Sequence, residues 1–410
     1  MKTEHVHVVW GQTFSGHTAP LASTALDRWA LGRIRQMVPD ARIRFQLWDG
    51  AASPPPSSFA APCVGTIVFK NRRALLSWLW DAELNFGETY MFGAIEVRGD
   101  LAAVLAEIYR ALGPDAGRSR WAWSRANDEN AARENVHHHY DLGNAFYERW
   151  LDPEMVYTCA YFPTPTATLE AAQIAKMDRV CRKLALRPGE RVLEAGCGWG
   201  GLALHMARHY GVTVRALNVS GEQIGYARER ARARRLEHRV EFIEDDYRDV
   251  RGQYDAFVSV GMLEHVGTAH YGSLGAVLDR SLTDGGRGLL HFIGRNRPSP
   301  LNAWIRRRIF PGAYPPTLSE VCDGVLAPSD LSVTDVENLR LHYAATLEHW
   351  RARFESAAGD VATMFDDAFV RAWRLYLAGS QAAFATGAMQ LFQIVFARGR
   401  SNAIPWTRLG

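Results

Sequence analysis

Residues 191–202 read RVLEAGCGWGGL, an apolar run that passes through closely spaced glycines into a helical pattern. The first residues of this stretch predict a buried strand, which ends at Glu194. Gly196, Gly198 and Gly200 let the backbone turn tightly and approach a ligand closely, because glycine has no side chain. A strand, a glycine-rich turn and a helix in this order predict a cradle for a nucleotide-like cofactor. The glycine spacing by itself is weak evidence, since many tight turns bind nothing.

Strands and helices alternate regularly after residue 170, which is typical of an α/β fold. The predicted helices cover residues 169–184, 201–210, 221–235, 273–282 and 373–386, and the predicted strands cover residues 191–194, 212–217, 240–243, 256–260, 287–293 and 390–397. This alternation predicts a mostly parallel, Rossmann-like sheet with helices on both faces, whose ligands bind at the carboxyl ends of the strands. Residues 295–355 are expected to form an insertion outside the sheet.

The chain before about residue 125 has a different pattern, with short strands and a turn-rich segment between them. Strands are predicted at residues 5–10, 41–47 and 65–69, helices at 72–85 and 101–112, and a polar linker at 113–130. We therefore expect a small N-terminal α+β domain over residues 1–125. A larger domain is expected over residues 126–410.

The composition is that of a globular protein, with 47% apolar residues, 22% charged residues and a formal net charge of +3. So small a net charge indicates no affinity for nucleic acid. The five cysteines are widely spread and lack paired spacing, which predicts free thiols in a reducing compartment. We find neither a signal-peptide pattern nor an apolar run of about 18 residues. The sequence therefore predicts a cytoplasmic protein.

Three adjacent histidines, His137, His138 and His139, have the side chains that metal ions prefer. Adjacent residues of a helix point in different directions, and no cysteine or carboxylate completes a set of ligands. No metal site is predicted.

Polar side chains follow the second and third strands of the larger domain. Asn218, Ser220 and Gln223 can bind ribose hydroxyls, at a position where an acidic residue is more usual. Ser220 and Gln223 are also suited to cap the next helix, and both roles can coexist. Asp246 and Tyr247 are expected to receive the adenine amine and to cover its ring. The alternative is that this acidic loop is solvated.

Several motifs in a fixed order resemble one family. The turn GCGWGG with its preceding glutamate resembles motif I of class I S-adenosylmethionine methyltransferases, in which the carboxylate helps hold the cationic methionine end of the cofactor. The segments ENVHHHYDLGNAFYERWLDPEMVYTCAYF, VLEAGCGWGGLA, DYRD, VSVGMLEHVG, LLHFIG, IFPG and FQIVFARG together resemble the cyclopropane-fatty-acyl-phospholipid synthase family. Nearer the N-terminus, LNFGETYMFG is similar to the extra lipid-engaging domain of bacterial members, which also suggests a role in dimer formation.

The resemblance implies two groups of site residues. Those expected to surround a bound bicarbonate at the reacting centre are Cys159, Glu264, His291, Ile293 and Tyr343. Those expected to bind S-adenosylmethionine are Tyr157, Thr158, Glu194, Gly196, Cys197, Gly198, Gly200, Asn218, Ser220, Gln223, Asp246 and Tyr247. Cys159 and Ile293 would contribute backbone groups, whereas a lone histidine such as His291 is often structural.

The implied chemistry explains why a dry pocket and a small anion are expected. An isolated cis alkene is a poor nucleophile, so it must meet the sulfonium methyl group in an apolar site that orients both. Ring closure then needs a base to remove one methyl proton, and water would quench the cation. Bicarbonate can serve as this base, held by Glu264 and His291.

The resemblance also implies a membrane phospholipid as substrate, peripheral contact with the membrane, and a homodimer. Trp304, Ile305, Ile309 and Phe310 around the arginines at 306–308 suggest an interfacial element beside anionic headgroups. The alternative is a solvated basic turn next to a core-facing apolar stripe.

Other functions remain open on the same scaffold. They are methylation of an acyl carbon without ring closure, methylation of a small amine, and lipid binding without catalysis. The complete set of implied bicarbonate residues favours ring closure.

Overall fold

Two β-sheets organise the protein, whose structure is a computed structural model describing residues 22–54, 62–113 and 142–402. The small sheet and its helices form what we call the N-terminal unit. Its elements are α1 (Ala25–Met37), β1 (Ile43–Gln46), β2 (Gly65–Phe69), α2 (Arg72–Met91), β3 (Ile95–Gly99) and α3 (Leu101–Leu112). Strand β2 lies between the other two, parallel to β1 and antiparallel to β3.

The N-terminal unit has a core of its own, centred on Trp78. The indole ring packs edge-on against Phe45 and Phe69, with centroid distances of 6.4 and 4.9 Å, and its N–H donates to Thr89 Oγ1 at 3.0 Å. Side chains from all three helices and all three strands contribute to this core. The predicted small α+β domain is therefore confirmed, although α1 and β3 were not expected.

The large sheet has seven strands in the order β6-β5-β4-β7-β8-β10-β9. In the chain they are β4 (Arg191–Ala195), β5 (Thr213–Asn218), β6 (Val240–Glu244), β7 (Tyr254–Val260), β8 (Leu282–Gly294), β9 (Leu331–Asn338) and β10 (Gln390–Arg398). The first five strands of the sheet order are parallel, and β10 is antiparallel to both of its neighbours. The predicted mostly parallel sheet is confirmed.

Helices cover both faces of the large sheet. They are α4 (Asn144–Tyr147), α5 (Leu169–Lys183), α6 (Gly201–Tyr210), α7 (Gly221–Ala233), α8 (Leu263–Val266), α9 (Tyr271–Ser281), α10 (Ala303–Arg308), α11 (Leu318–Val321), α12 (Arg340–Met364) and α13 (Asp367–Thr386). Successive strand residues face opposite sides: Val192 packs with α5, α6 and α7, and Leu193 packs with α9. A third core joins α12 and α13 to α3 and α4.

The expectation that residues 295–355 lie outside the sheet is wrong. Strand β9 within this range pairs with β10, from Asn338 opposite Phe392 to Leu331 opposite Arg398. Several β9 side chains are exposed because the strand lies at the edge, so its sequence lacks the continuous apolar run of the central strands. The division at residues 125 and 126 lies outside the described residues and stays a prediction, as do the strand at 5–10, the linker beyond 113 and the three histidines.

Helix α10 does not form the interfacial element that was considered for it. Trp304 and Ile309 are 2% and 3% exposed, and Arg308 makes a two-pronged ion pair with Glu88 of α2, at 2.8 and 2.7 Å. Glu83 of α2 accepts the backbone N–H of Ala303 at 2.8 Å. Helix α10 therefore joins the large sheet to the N-terminal unit. Among the helices described, none is both long enough and apolar enough to cross a bilayer.

The contact between α10 and α2 requires a glycine at position 87. A Cβ atom added there would lie 2.1 Å from Cγ of Trp304. We expect Gly87→Ala to lower the free energy of unfolding by about 1–3 kcal/mol, since neither the indole nor the helix can retreat freely. Gly32→Ala is the matched control, because Gly32 lies in a helix with no atom within 4 Å of an added Cβ. It should leave stability unchanged or raise it by up to about 1 kcal/mol. Equal denaturation midpoints for the two variants would contradict this packing.

Candidate active site

A chamber of about 680 Å³ lies beyond the carboxyl ends of β4, β5 and β7 and beside the end of β8. Its wall contains residues that directly follow these strands, including Gly196, Val219 and Gly261. The chamber also continues between α12, α13 and the N-terminal unit. Parallel sheets of this kind bind ligands at this edge, so the position is the expected one.

The glycine turn after β4 forms one side of the chamber. Gly196, Cys197 and Gly198 line it, and Gly198 has φ +54° with open space where a side chain would start. Gly200 does not line the chamber: it has φ +80° at the start of α6, and an added Cβ would lie 2.6 Å from the ring of Phe242. Packing against Phe242 therefore requires a glycine at position 200.

Glu194 is buried in the chamber wall, and its Oε2 has no hydrogen-bond partner. Burial raises the pKa of this carboxyl to about 8, against the opposing charge of Lys176. Lys176 is also buried, and burial lowers the pKa of its ammonium group to about 8. Its Nζ donates to Thr158 Oγ1 at 2.9 Å. The free oxygen of this carboxyl group suits a ligand's ammonium group, whose positive charge favours the ionised form.

The polar residues after β5 mostly bind each other. Asn218 Nδ2 donates to Gln223 Oε1 at 2.6 Å, and both residues line the chamber. Ser220 does not line it; its hydroxyl accepts the backbone N–H of Gln223 at 3.3 Å and caps α7. Ser220 therefore has the helix-capping role that was the alternative to ribose binding.

Asp246 and Tyr247 lie together in the chamber wall after β6. Asp246 Oδ1 accepts the backbone N–H of Arg248 at 2.9 Å, which fixes the turn. Asp246 and Tyr247 are buried, with only 3% and 8% of their surface exposed. The alternative of a solvated loop therefore does not hold for these two residues. The guanidinium of Arg248 lies 5.4 Å from the centroid of the Tyr247 ring.

The segment before α5 forms another part of the chamber wall, and Gln173 of α5 holds it in place. Gln173 Nε2 donates to the backbone oxygens of Val156 and Thr158 at 3.1 and 2.9 Å. Between them, the Tyr157 hydroxyl shares a hydrogen bond of 2.8 Å with the hydroxyl of Tyr376 in α13. Tyr157 and Thr158 therefore both reach the chamber from a rigidly held backbone.

His291 lies in β8 and presents one free nitrogen. Its Nδ1 is 2.9 Å from Nε2 of Gln393, the directly opposite residue of β10. An amide nitrogen can only donate, so Nδ1 accepts and the ring proton is placed on Nε2, which has no partner. Burial lowers the pKa of the imidazole to about 3. The ring is therefore a neutral donor in the chamber wall.

Glu264 lies in helix α8 directly after β7, not at the end of a strand. Its Oε1 accepts the backbone N–H of Ile293 at 2.5 Å, and its Oε2 has no partner. Burial raises the pKa of this carboxyl to about 7. The backbone N–H of Ile293, expected to serve the anion, is bound to Glu264 here. Ile293 lies two residues beyond His291 in β8, so both side chains share one face of the sheet.

Cys159 and Tyr343 complete the implied set, and both line the chamber. The Cys159 thiol donates to the backbone oxygen of Ala160 at 3.1 Å, and burial raises its pKa well above the usual range. It is therefore a neutral thiol and no nucleophile. The Tyr343 ring lies 4.5 Å from that of Phe384.

Three residues that support the site were missed in the sequence. Gln173 and Lys176 are polar residues three positions apart on the buried face of α5, and Gln393 interrupts an apolar strand. A buried polar residue inside an apolar pattern needs a partner. A polar residue that interrupts an apolar pattern was therefore the signal by which the sequence could have indicated these three residues.

Comparison with known proteins identifies related sequences over most of the chain. A family model described as Mycolic acid cyclopropane synthetase matches residues 127–394, and one described as Domain of unknown function (DUF7884) matches residues 34–114. A probable fatty acid methyltransferase of Pseudomonas putida is 36% identical over 384 residues, which is 89% of this chain and 95% of the relative. The cyclopropane-fatty-acyl-phospholipid synthase of Escherichia coli K12 is 41% identical over 268 residues, 65% of this chain and 68% of the relative.

A solved structure is similar to this chain over most of its length. The crystal structure of mycolic acid cyclopropane synthase CmaA1 complexed with SAH and CTAB has a TM-score of 0.61 and 29% sequence identity. The match covers 64% of this chain and 97% of that chain. The class I methyltransferase fold expected from motif I is therefore confirmed.

The buried carboxyl of Glu264 makes the stability of the protein depend on pH. The pKa of this group rises from 4.5 to about 7 on folding. The folded state thus holds the proton more tightly, and stability that is complete below pH 4.5 is lost as pH rises to 7. Glu264→Gln is neutral at every pH. We expect its advantage over wild type in free energy of unfolding to grow by up to about 3 kcal/mol between pH 4.5 and 7 and then level off.

The control for this experiment is Glu237→Gln, at an exposed position. Its difference from wild type should stay within about 0.5 kcal/mol. Denaturant unfolding across the pH range measures both. A difference for Glu264→Gln that does not change with pH would show that this carboxyl keeps the same proton affinity in both states.

Proposed function

Because the chain belongs to the mycolic acid cyclopropane synthetase family of S-adenosylmethionine-dependent methyltransferases, we propose that it converts a cis double bond of a phospholipid acyl chain into a cyclopropane. The observation that carries this proposal is that two buried polar atoms, Glu264 Oε2 and His291 Nε2, lack a hydrogen-bond partner and belong to residues that line the same chamber. A simple methyl acceptor would not need such a pair. A reaction that ends in loss of a proton does.

The residues beside the glycine turn fit S-adenosylmethionine. The free Oε2 of Glu194 suits the ammonium group of the methionine end, and the bare Gly198 backbone leaves room for close approach. Asn218, Asp246 and Tyr247 offer polar and aromatic partners for the ribose and adenine. When bound, this cofactor supplies the methyl group and leaves as S-adenosylhomocysteine.

The free atoms of Glu264 and His291 fit bicarbonate. His291 donates from Nε2, because Gln393 occupies Nδ1. Glu264 accepts a hydrogen bond through Oε2, and the hydroxyl group of bicarbonate donates it. The proton of this hydroxyl then lies between the carboxylate and the anion, which would otherwise repel each other. When bound, bicarbonate supplies the base that takes a methyl proton as the ring closes. Cys159 and Tyr343 stand in the same wall and complete the proposed site.

The apolar part of the chamber fits a hydrocarbon chain. Its wall includes Leu347, Leu375, Phe384 and Leu391, all buried. Burial of these side chains excludes water, which would otherwise add to the cation formed by methyl transfer. The same wall holds the chain so that its double bond meets the methyl group in one orientation.

Methylation of an acyl carbon without ring closure is the second candidate function. The Pseudomonas putida relative, of which this chain covers 95%, is named a probable fatty acid methyltransferase. The two reactions differ in where the last proton is lost. Proton NMR of the extracted lipid separates ring methylene signals from those of a methyl or methylene branch.

The activity is tested with vesicles of cis-unsaturated phosphatidylethanolamine and phosphatidylglycerol and labelled cofactor. Wild type should form cyclopropane acyl chains, and removing bicarbonate from the buffer should slow it reversibly. Glu264→Ala and His291→Ala should each lower turnover by about 10²–10⁴-fold, because each removes a partner of the base. Binding of S-adenosylhomocysteine, measured by calorimetry, should persist. His209→Ala, at an exposed position on α6, is the control. Full activity in both site variants would discard the base assignment.

We also propose that the protein contacts the membrane through its N-terminal unit. Five large apolar residues on α1 and α2 are exposed: Leu26 by 57%, Trp29 by 58%, Met37 by 42%, Leu76 by 38% and Trp80 by 92%. The ion pair between Arg72 and Asp27 joins the two helices that carry them. Tryptophan favours the boundary between lipid and water, and exposed arginines on these helices suit anionic headgroups.

Replacing Trp29 and Trp80 together by serine should reduce sedimentation with phosphatidylglycerol vesicles several-fold. Turnover of lipid dispersed in detergent should stay near wild type, since these side chains do not line the chamber. The matched control replaces Ile174 and Leu341 by serine. These residues are 48% and 63% exposed on helices of the large unit. Equal loss of vesicle binding in the control would refute a specific role for the N-terminal unit. The homodimer and the cytoplasmic location stay predictions.

A further inference from the structure

The chamber extends from the reaction site into the core of the N-terminal unit. We call this extension the N-terminal limb and define it by Ile34, Val38, Phe45, Trp78, Phe86 and Ile108, all of which line the same chamber as Glu264 and His291. These residues come from α1, β1, α2 and α3. A fold unit that needed only its own core would pack these side chains against one another without leaving a continuous space.

The N-terminal limb has the chemistry of a hydrocarbon channel. Two charged residues of the chamber wall, Glu83 and Arg295, lie beside the limb and have opposite signs. Glu83 accepts the backbone N–H of Ala303 at 2.8 Å, and its charge acts on the Arg295 guanidinium. Two opposite charges sum to zero, so they give the limb no net charge that would attract an ion. An uncharged, apolar ligand is the occupant that this limb suits.

The far end of the limb opens to solvent. Met37 at the end of α1 and Leu112 at the end of α3 both line the chamber, and each is 42% exposed. A blind pocket would close with buried side chains. An apolar rim that is half exposed instead describes an entrance, on the same unit as the exposed tryptophans Trp29 and Trp80.

The limb lies outside the part of the chain that carries the reaction. The matching family model begins at residue 127, and every residue proposed to bind the cofactor or the base lies within its span. The six residues that define the limb all precede residue 127. The limb therefore contributes to handling of the substrate and adds nothing to the chemical step.

We propose that the N-terminal limb is the passage through which the acyl chain of a bilayer phospholipid enters the site, with the carboxyl side of its double bond held in the limb. This inference rests on the proposed function. The headgroup then stays at the rim formed by Met37 and Leu112, and the methyl end of the chain lies deeper, in the large unit.

A variant that fills the limb tests the passage. Ile108→Trp places a large ring in the limb, and Ala103→Trp, on the same helix but outside the chamber wall, is the matched control. With phospholipid vesicles, Ile108→Trp should lower turnover by about tenfold or more, while binding of S-adenosylhomocysteine is unchanged. Wild-type turnover in Ile108→Trp would overturn the passage. No product from wild type on any unsaturated lipid would instead reject the proposed function.

A labelling experiment on the wild-type protein removes any dependence on folding of the variant. Phospholipids carrying a photoreactive diazirine on the carboxyl side or on the methyl side of the double bond are irradiated in vesicles with the protein. Mass spectrometry should find carboxyl-side adducts on limb residues such as Trp78 and methyl-side adducts on α12 or α13. Limb adducts from the methyl-side probe, or none from either probe, would overturn the proposed direction or the passage itself.

Discussion

The site depends on the burial of ionisable groups whose hydrogen bonding is incomplete. Glu194 and Glu264 each keep one carboxylate oxygen free, and His291 keeps one ring nitrogen free. Burial raises the pKa of both glutamates and lowers the pKa of the histidine, and both changes favour the neutral form of the group. An unpaired buried polar atom costs roughly 1–3 kcal/mol. A ligand that supplies the missing partners recovers this cost, so these groups favour its binding.

The neighbouring strands and helices set the state of each of these groups. Strand pairing puts Gln393 opposite His291, and this pairing decides which imidazole nitrogen carries the proton. The backbone of Ile293 occupies one oxygen of Glu264 and orients the other. Helix α5 supplies Lys176, whose charge opposes the effect of burial on Glu194. The antiparallel strand β10 is therefore part of the site although none of its own groups is proposed to react.

The N-terminal unit is joined to the large unit through apolar packing and a few ion pairs. Trp304 of α10 fits over Gly87, and Arg308 pairs with Glu88 beside it. This joint is also where the chamber passes from one unit to the other. A loss of packing here would therefore open the apolar space to water as well as weaken the fold. Stability and the exclusion of water have a common structural cause.

The sequence by itself determined the alternation of strands and helices and the glycine turn, because apolar periodicity and glycine spacing are local properties. The resemblance of its motifs also identified residues of the chamber wall such as Glu194 and His291. Only the tertiary structure decided that β9 joins the sheet edge, that Gly200 serves packing against Phe242, and that the Ile293 N–H belongs to Glu264. Tertiary packing also buried Trp304, for which the sequence had suggested a position at the membrane surface. Each of these depends on which distant segment faces a residue, and no local pattern contains that information.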